Sequence, residues 1–261
     1  LYMKAPGNSY YSNVGTSTTV SSTATNGLYY FYAKDKAGNT SSTYYLYLDT
    51  TTPTGTIKNS SGTAISGYTN GAFSYTATDT GSGVSYLQYK KPGSSSWLSY
   101  TSGTTIASTA TNGQYQFRAV DKAGNVSDTK TIYLDSAAPT GTIKNSSGTA
   151  ISGYTGGAFS YTATDTGSGV SYLQYKTPGS SSWTTYSSGT TISASATNGL
   201  YQFRAVDNAG NTSAVSSIYL DTAIPTGKIT DSNGTTVTTT TNKAFKYTAS
   251  DGLSGIAYMQ Y

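Results

Sequence analysis

The sequence contains no cysteine, no histidine and no glutamate. Without cysteine there is no disulfide framework, no thiolate metal site and no internal thioester. Acid and base chemistry near neutral pH falls mostly to histidine, glutamate or a perturbed aspartate, and only aspartate is left, so no catalytic residues are expected. Charged residues make up 10% of the chain and the net charge is +4. That charge is spread too thinly to form the clustered lysine and arginine of a nucleic-acid binder. No window approaches the roughly 18 continuous apolar residues of a membrane span. Helix signals are also missing, because glycine or proline interrupts each segment before it reaches the roughly ten residues a stable helix needs.

What is abundant is tyrosine, with 26 residues against 6 phenylalanines. One tyrosine-led stretch is written three times, as Tyr29, Phe31, Ala33, Asp35, Gly38 and Asn39, then as Tyr115, Phe117, Ala119, Asp121, Gly124 and Asn125, then as Tyr201, Phe203, Ala205, Asp207, Gly210 and Asn211. The apolar members alternate at period two, which predicts a strand with one buried and one wet face. Aspartate then opens a tight turn, since its short carboxylate accepts backbone N–H groups one or two residues on, and the glycine-asparagine pair supplies residues that tolerate positive φ. The apolar run Thr131–Asp135 is the expected return strand.

The rest of the chain follows the same period. Pro53, Pro139 and Pro225 recur every 86 residues, and the copies from Pro53 to Trp97 and from Pro139 to Trp183 differ at two positions, Asn70/Gly156 and Lys91/Thr177. Such repetition overrides any domain count based on length. The register predicts residues 1–49 as the later part of a repeat, 50–135 and 136–221 as complete repeats, and 222–261 as the earlier part of another. Neither half can bury its apolar face alone, so each end is expected to be completed by another half, from a continuing chain or from another copy.

Within a repeat, Gly55–Asn59, Ala72–Asp79 and Val84–Lys90 read as strands, with Phe73, Tyr75 and their counterparts Phe159 and Tyr161 facing inward. Two shorter strands are expected at Trp97–Tyr100 and Thr104–Ser108. With the Tyr115 and Thr131 strands this makes about seven, spaced as in a two-sheet sandwich. The expected fold class is all-β: tandem immunoglobulin-like antiparallel β-sandwich domains with an 86-residue period.

The segments Asp79-Thr80-Gly81-Ser82-Gly83-Val84, Leu87-Gln88-Tyr89-Lys90 with Trp97, Tyr115 through Asn125, and Leu134-Asp135 before Pro139 resemble the bacterial immunoglobulin-like domains found in tandem on surface and secreted proteins, with kinship to fibronectin type III folds. The resemblance spans every repeat and implies an extracellular or cell-surface protein that is not an enzyme. Members of this look serve as adhesin stalks, accessory modules and filament subunits.

Further expectations concern individual residues. Tyr115 follows Thr111-Asn112-Gly113, where a Greek-key sandwich places a corner tyrosine that bonds back to the preceding loop. Trp97 and Trp183 are expected in the core, because a ring of that size contributes most when buried. Asp79, Asp121 and Asp135, with Asp165, Asp207 and Asp221 in the next copy, are expected to cap their own turns, with no metal and no other cofactor, since calcium wants six to eight oxygens. An internal bond between Lys58 and Asn125 is disfavoured, because no glutamate is present to assist it. The joints at Pro53, Pro139 and Pro225 leave three residues after Asp49, Asp135 and Asp221, and proline's fixed φ stiffens such crossings. The expected function is a structural array forming an extracellular rod, either a stalk or the body of a filament. The alternative is a glycan- or ligand-binding module using exposed tyrosines. Expected partners are neighbouring repeats or other copies, and cell-surface glycans or proteins reached through a tip outside this segment.

Overall fold

The computed structural model describes residues 1–260. Two compact units, Leu1–Ser136 and Ala137–Tyr261, divide the chain. All regular structure is β, in line with the fold class read from the sequence.

In the first unit, β1 (Tyr2–Lys4), β2 (Ser12–Asn13), β3 (Gly27–Tyr32) and β4 (Tyr44–Leu48) form one sheet in the order β2-β1-β3-β4. A complete sandwich follows. Its smaller sheet pairs β5 (Thr54–Asn59) with β7 (Phe73–Thr78). Its larger sheet joins β6 (Gly67–Thr69), β8 (Val84–Lys90), β9 (Leu98–Tyr100), β10 (Gly113–Asp121) and β11 (Lys130–Leu134) in the order β6-β11-β10-β8-β9. The strand at β6 was not expected, and it runs parallel to β11, unlike the antiparallel pairs around it. The segment Thr104–Ser108 is not a strand; only Ile106 bridges to Phe73 there.

The second unit repeats this plan. β12 (Thr140–Asn145) pairs β14 (Phe159–Thr164), opposite a sheet of β13 (Gly153–Thr155), β15 (Val170–Lys176), β16 (Thr184–Tyr186), β17 (Gly199–Asp207) and β18 (Ser216–Leu220). A last antiparallel pair, β19 (Thr226–Asp231) with β20 (Phe245–Ser250), lies beyond it.

The alternation of β10 decides the core. Tyr115, Phe117 and Ala119 point inward with Ile132 and Leu134 of β11, against Ile57, Phe73 and Tyr75 of the smaller sheet. Aromatic rings meet there in mixed geometry: Phe117 stacks on Tyr75 at 5.0 Å and meets Phe73 edge-on at 6.2 Å, arrangements that suit the ring quadrupole. The second unit places Tyr201, Phe203, Ala205, Phe159 and Tyr161 in the same way. Gly55 leaves room for the Tyr75 ring to lie across the neighbouring strand of the same sheet, because a Cβ on it would lie 1.9 Å from the Tyr75 hydroxyl.

The two partial repeats carry the same faces without the opposing sheet. Leu46, the counterpart of Ile132, is 71% exposed where Ile132 is 1% exposed, and Phe245 is 66% exposed where Phe73 is 1%. For the same reason Ala33 is exposed and Phe31 only half-buried, unlike Ala119 and Phe117, although Tyr29 is buried. Among the joint prolines, Pro53 and Pro139 are buried and Pro225 is exposed.

Candidate functional site

Two places bring polar side chains together. The first is the tip where the Tyr115 strand ends. Asp121 accepts the Asn125 backbone N–H at 2.8 Å and the Asn125 carboxamide at 2.8 Å, while Gly124 takes a φ of 95°. Asp207 and Asn211 repeat the arrangement, and so do Asp35 and Asn39. Neither Asn39, Asn125 nor Asn211 has positive φ; glycine alone supplies it. Asp79 caps its own loop by accepting Gly81 N–H at 3.0 Å and Gly83 N–H at 2.7 Å through Oδ2. Asp165 does the same for Gly167 and Gly169.

Asp49, which ends the preceding repeat, reaches into this tip. Its carboxylate accepts Ser82 N–H at 2.6 Å, and its carbonyl accepts the Asn125 carboxamide at 3.0 Å. Gly81 has no side chain because a Cβ there would sit 2.3 Å from the Asp49 carboxylate. The Thr51 hydroxyl donates to Asp49 Oδ1 at 2.5 Å, and this bond, followed by those from Ser82, holds the Asp49 carboxyl far below the usual carboxylate range despite its burial. Carboxylate oxygens of Asp49, Asp79 and Asp121 consequently lie within 4.8 Å of one another. Both oxygens of Asp49 and of Asp121 are hydrogen-bonded, whereas Asp79 Oδ1 is buried without a partner among the described residues. Three carboxylates supply part of the oxygen set a calcium ion takes, and the three are the residues here that could contribute to one. The Asn125 carboxamide nitrogen thus donates to both Asp121 and Asp49.

The second place is the outer face of the larger sheet. Trp97 is not in the core as expected. It lies half-exposed on that face, with the Arg118 guanidinium 4.2 Å and the Lys90 ammonium 4.8 Å from its ring centroid. Trp183 takes the same position, with Arg204 at 4.4 Å and Lys176 at 4.8 Å. The buried place goes instead to Tyr100, whose hydroxyl accepts the Tyr75 backbone N–H at 3.0 Å and donates to the Thr104 carbonyl. Counting back from Tyr100 at period two sets Trp97 on the opposite face, a signal present in the sequence.

The corner tyrosines sit beneath their own loops: Tyr115 Oη donates to the Thr111 carbonyl at 3.0 Å, and Tyr29 and Tyr201 do the same to Thr25 and Thr197. The tyrosines of the first sheet gather around Lys4. Tyr2 stacks on Tyr32 at 5.0 Å, Tyr11 meets Tyr32 edge-on at 4.8 Å, and Lys4 lies 4.4 Å over Tyr30.

No protein-family model and no curated protein matches the chain. Among solved structures, it is similar to the fibronectin(III)-like modules of Clostridium thermocellum CbhA, at 17% identity and TM-score 0.30 over 62% of this chain and 92% of that one. It is also similar to a tetra-tandem repeat in the extending region of a large adhesion protein, at 18% identity and TM-score 0.28 over 97% of this chain and 82% of that one. No helix among the described residues is long and apolar enough to cross a membrane.

Proposed function

We propose that this chain is a structural segment of an extracellular rod, a stalk or filament body built from tandem immunoglobulin-like repeats, and that it is not an enzyme. The observation that carries this reading is the joint within the first unit. Asp49 leaves β4, bonds Ser82 and Asn125 of the following repeat, and delivers the chain to buried Pro53 after three residues. Asp221 bonds Ser254 N–H at 2.9 Å in the second unit, so the device recurs. A joint tied by side-chain bonds and a fixed proline φ resists bending, as a stiff spacer requires. The similarity to an extending-region repeat is in keeping with this role.

Small-angle scattering of the chain and of Asp49→Ala with Asp221→Ala tests the reading. The variant is expected to show a broader distribution of dimensions at unchanged secondary structure. An unchanged distribution would remove the stiffening role from these joints. Ligand binding through exposed tyrosines is a second reading, favoured by the gathering of Tyr2, Tyr11, Tyr30 and Tyr32 on one face. Those rings, however, pack largely on one another.

A further inference from the structure

The outer face of each complete repeat holds a cluster that the rod does not use. On β8 and β10, Gln88, Lys90, Gln116 and Arg118 are cross-strand neighbours, with Arg118 opposite Gln88 and Gln116 opposite Lys90. Trp97 closes the cluster, and the Gln88 carboxamide oxygen accepts Arg118 Nε–H at 2.8 Å. The guanidinium is therefore fixed twice, by stacking on the indole and by one bond at Nε, which leaves the edge formed by its two terminal amino groups free to donate. Neither cation has a carboxylate in salt-bridge reach; the single ion pair among the described residues is Lys243–Asp231. The aspartates at positions 79 and 121 of the repeat are bound into its tip. Gln174, Lys176, Gln202, Arg204 and Trp183 reproduce the cluster residue for residue, again with a 2.8 Å bond at Nε.

We infer that these two clusters are binding sites for carboxylate-bearing sugars, specifically the uronic acid units of an acidic polysaccharide. The free edge of a pre-set guanidinium matches a carboxylate with two parallel N–H···O bonds, and fixing it in advance reduces the entropy lost on binding. The ammonium of Lys90 adds a second positive charge. With the Gln88 oxygen taken by Arg118 and the Gln116 nitrogen donating to Gln114, the Gln88 nitrogen and the Gln116 oxygen offer one donor and one acceptor for sugar hydroxyls. An open sheet face suits a polymer lying across it. The first sheet is an internal contrast: Tyr2 and Tyr32 stand where Gln88 and Arg118 stand in the next repeat, so the fork is missing there.

Affinity electrophoresis of the full chain in gels containing polygalacturonate provides the test, with carboxyl-reduced polygalacturonate and poly-L-glutamate as comparison gels. Retardation is expected in polygalacturonate alone, weakening as salt is raised. Arg118→Lys with Arg204→Lys keeps the charge and removes the fork, and is expected to weaken retention by about tenfold or more at unchanged melting temperature. Tyr2→Gln with Tyr32→Arg is expected to strengthen it by building a third site. Equal retention of the lysine variant would overturn the fork, and equal retention in poly-L-glutamate would overturn sugar recognition. No retardation of the natural chain would overturn the proposal altogether. None of these results bears on joint stiffness, so the rod and the ligand site stand or fall separately.

Discussion

Phe117 and Phe31 occupy the same position of the repeat, yet one ring is enclosed and the other is not. Phe117 is fully buried and touches four rings, stacking on Tyr75 and Tyr89 and meeting Phe73 and Tyr100 edge-on. Replacing it by alanine leaves a cavity that rigid sheets cannot close, a change that costs about 3 to 5 kcal/mol. That is a large share of the roughly 5 to 15 kcal/mol that holds a domain folded. Phe31→Ala opens no enclosed cavity, because the opposing sheet is missing and Leu46 beside it is already in water. Its cost is expected to stay below about 1.5 kcal/mol, since only part of one ring's apolar area returns to solvent. The two tryptophans make the measurement local, with Trp97 in the first unit and Trp183 in the second. In a Trp183→Phe background, urea unfolding followed by Trp97 emission should move to much lower urea with Phe117→Ala, while for Phe31→Ala, whose sheet holds no tryptophan, the transition read by far-ultraviolet circular dichroism should move little. In a Trp97→Phe background, Phe117→Ala should leave the Trp183 transition in place, because coupling in a linear array passes only through its joints. Equal shifts for Phe117 and Phe31 would refute the burial argument, and a matching shift of Trp183 would refute local unfolding.

Other outcomes follow from the polar groups. Asp79→Asn places an amide N–H where Oδ1 now lies unpartnered beside two carboxylates, so in a chelator its melting temperature should be unchanged or raised. A fall in chelator refutes this, and a fall seen only in calcium would identify the three aspartates as ligands. The Asp49 carboxyl is depressed below its unfolded value of 3.8. Its stabilisation is therefore complete above about pH 4 and is lost as pH falls further through the folded value. Thr51→Val removes the first donor and should shrink the acid-induced loss of stability between about pH 4 and pH 2, read by urea titrations at each pH. Tyr75 Oη is buried with no hydrogen bond of normal geometry among the described residues; burial pushes its ionisation upward, and the nearby Ser127 hydroxyl offsets only part of that. Tyr75→Phe should therefore be neutral or stabilising by up to about 1 kcal/mol, whereas Tyr100→Phe, which strips a partner from Tyr75 N–H, should destabilise.

The sheets were legible because period two survives in the sequence. Tyr115, Phe117 and Ala119 alternate without interruption, and their 86-residue spacing carries the assignment to Tyr201, Phe203 and Ala205. Gly67–Thr69 leaves no legible signal because three residues carry no periodicity, and its parallel pairing with β11 is a long-range choice. For Trp97, strand parity and not ring size decides the face. The convergence of Asp49 with Asp79 and Asp121 was hidden for another reason. Asp49 belongs by sequence to the preceding repeat, and its carbonyl meets Asn125 across 76 residues, a separation no local pattern encodes.

The sameness of the two complete repeats bears on how such a chain recovers after being pulled apart. Thr54–Asn59 and Thr140–Asn145 have one sequence, and so do their partners Phe73–Thr78 and Phe159–Thr164. β5 therefore finds in β14 a partner as good as β7, with the same register and the same inward Ile and aromatic side chains. Synthesis from the N-terminus avoids the ambiguity, because the first repeat can close before the second emerges. Refolding after mechanical extension has no such order. Strand exchange between adjacent repeats then competes with correct closure, and only the shorter loop, whose ends meet at lower entropic cost, favours the native pairing.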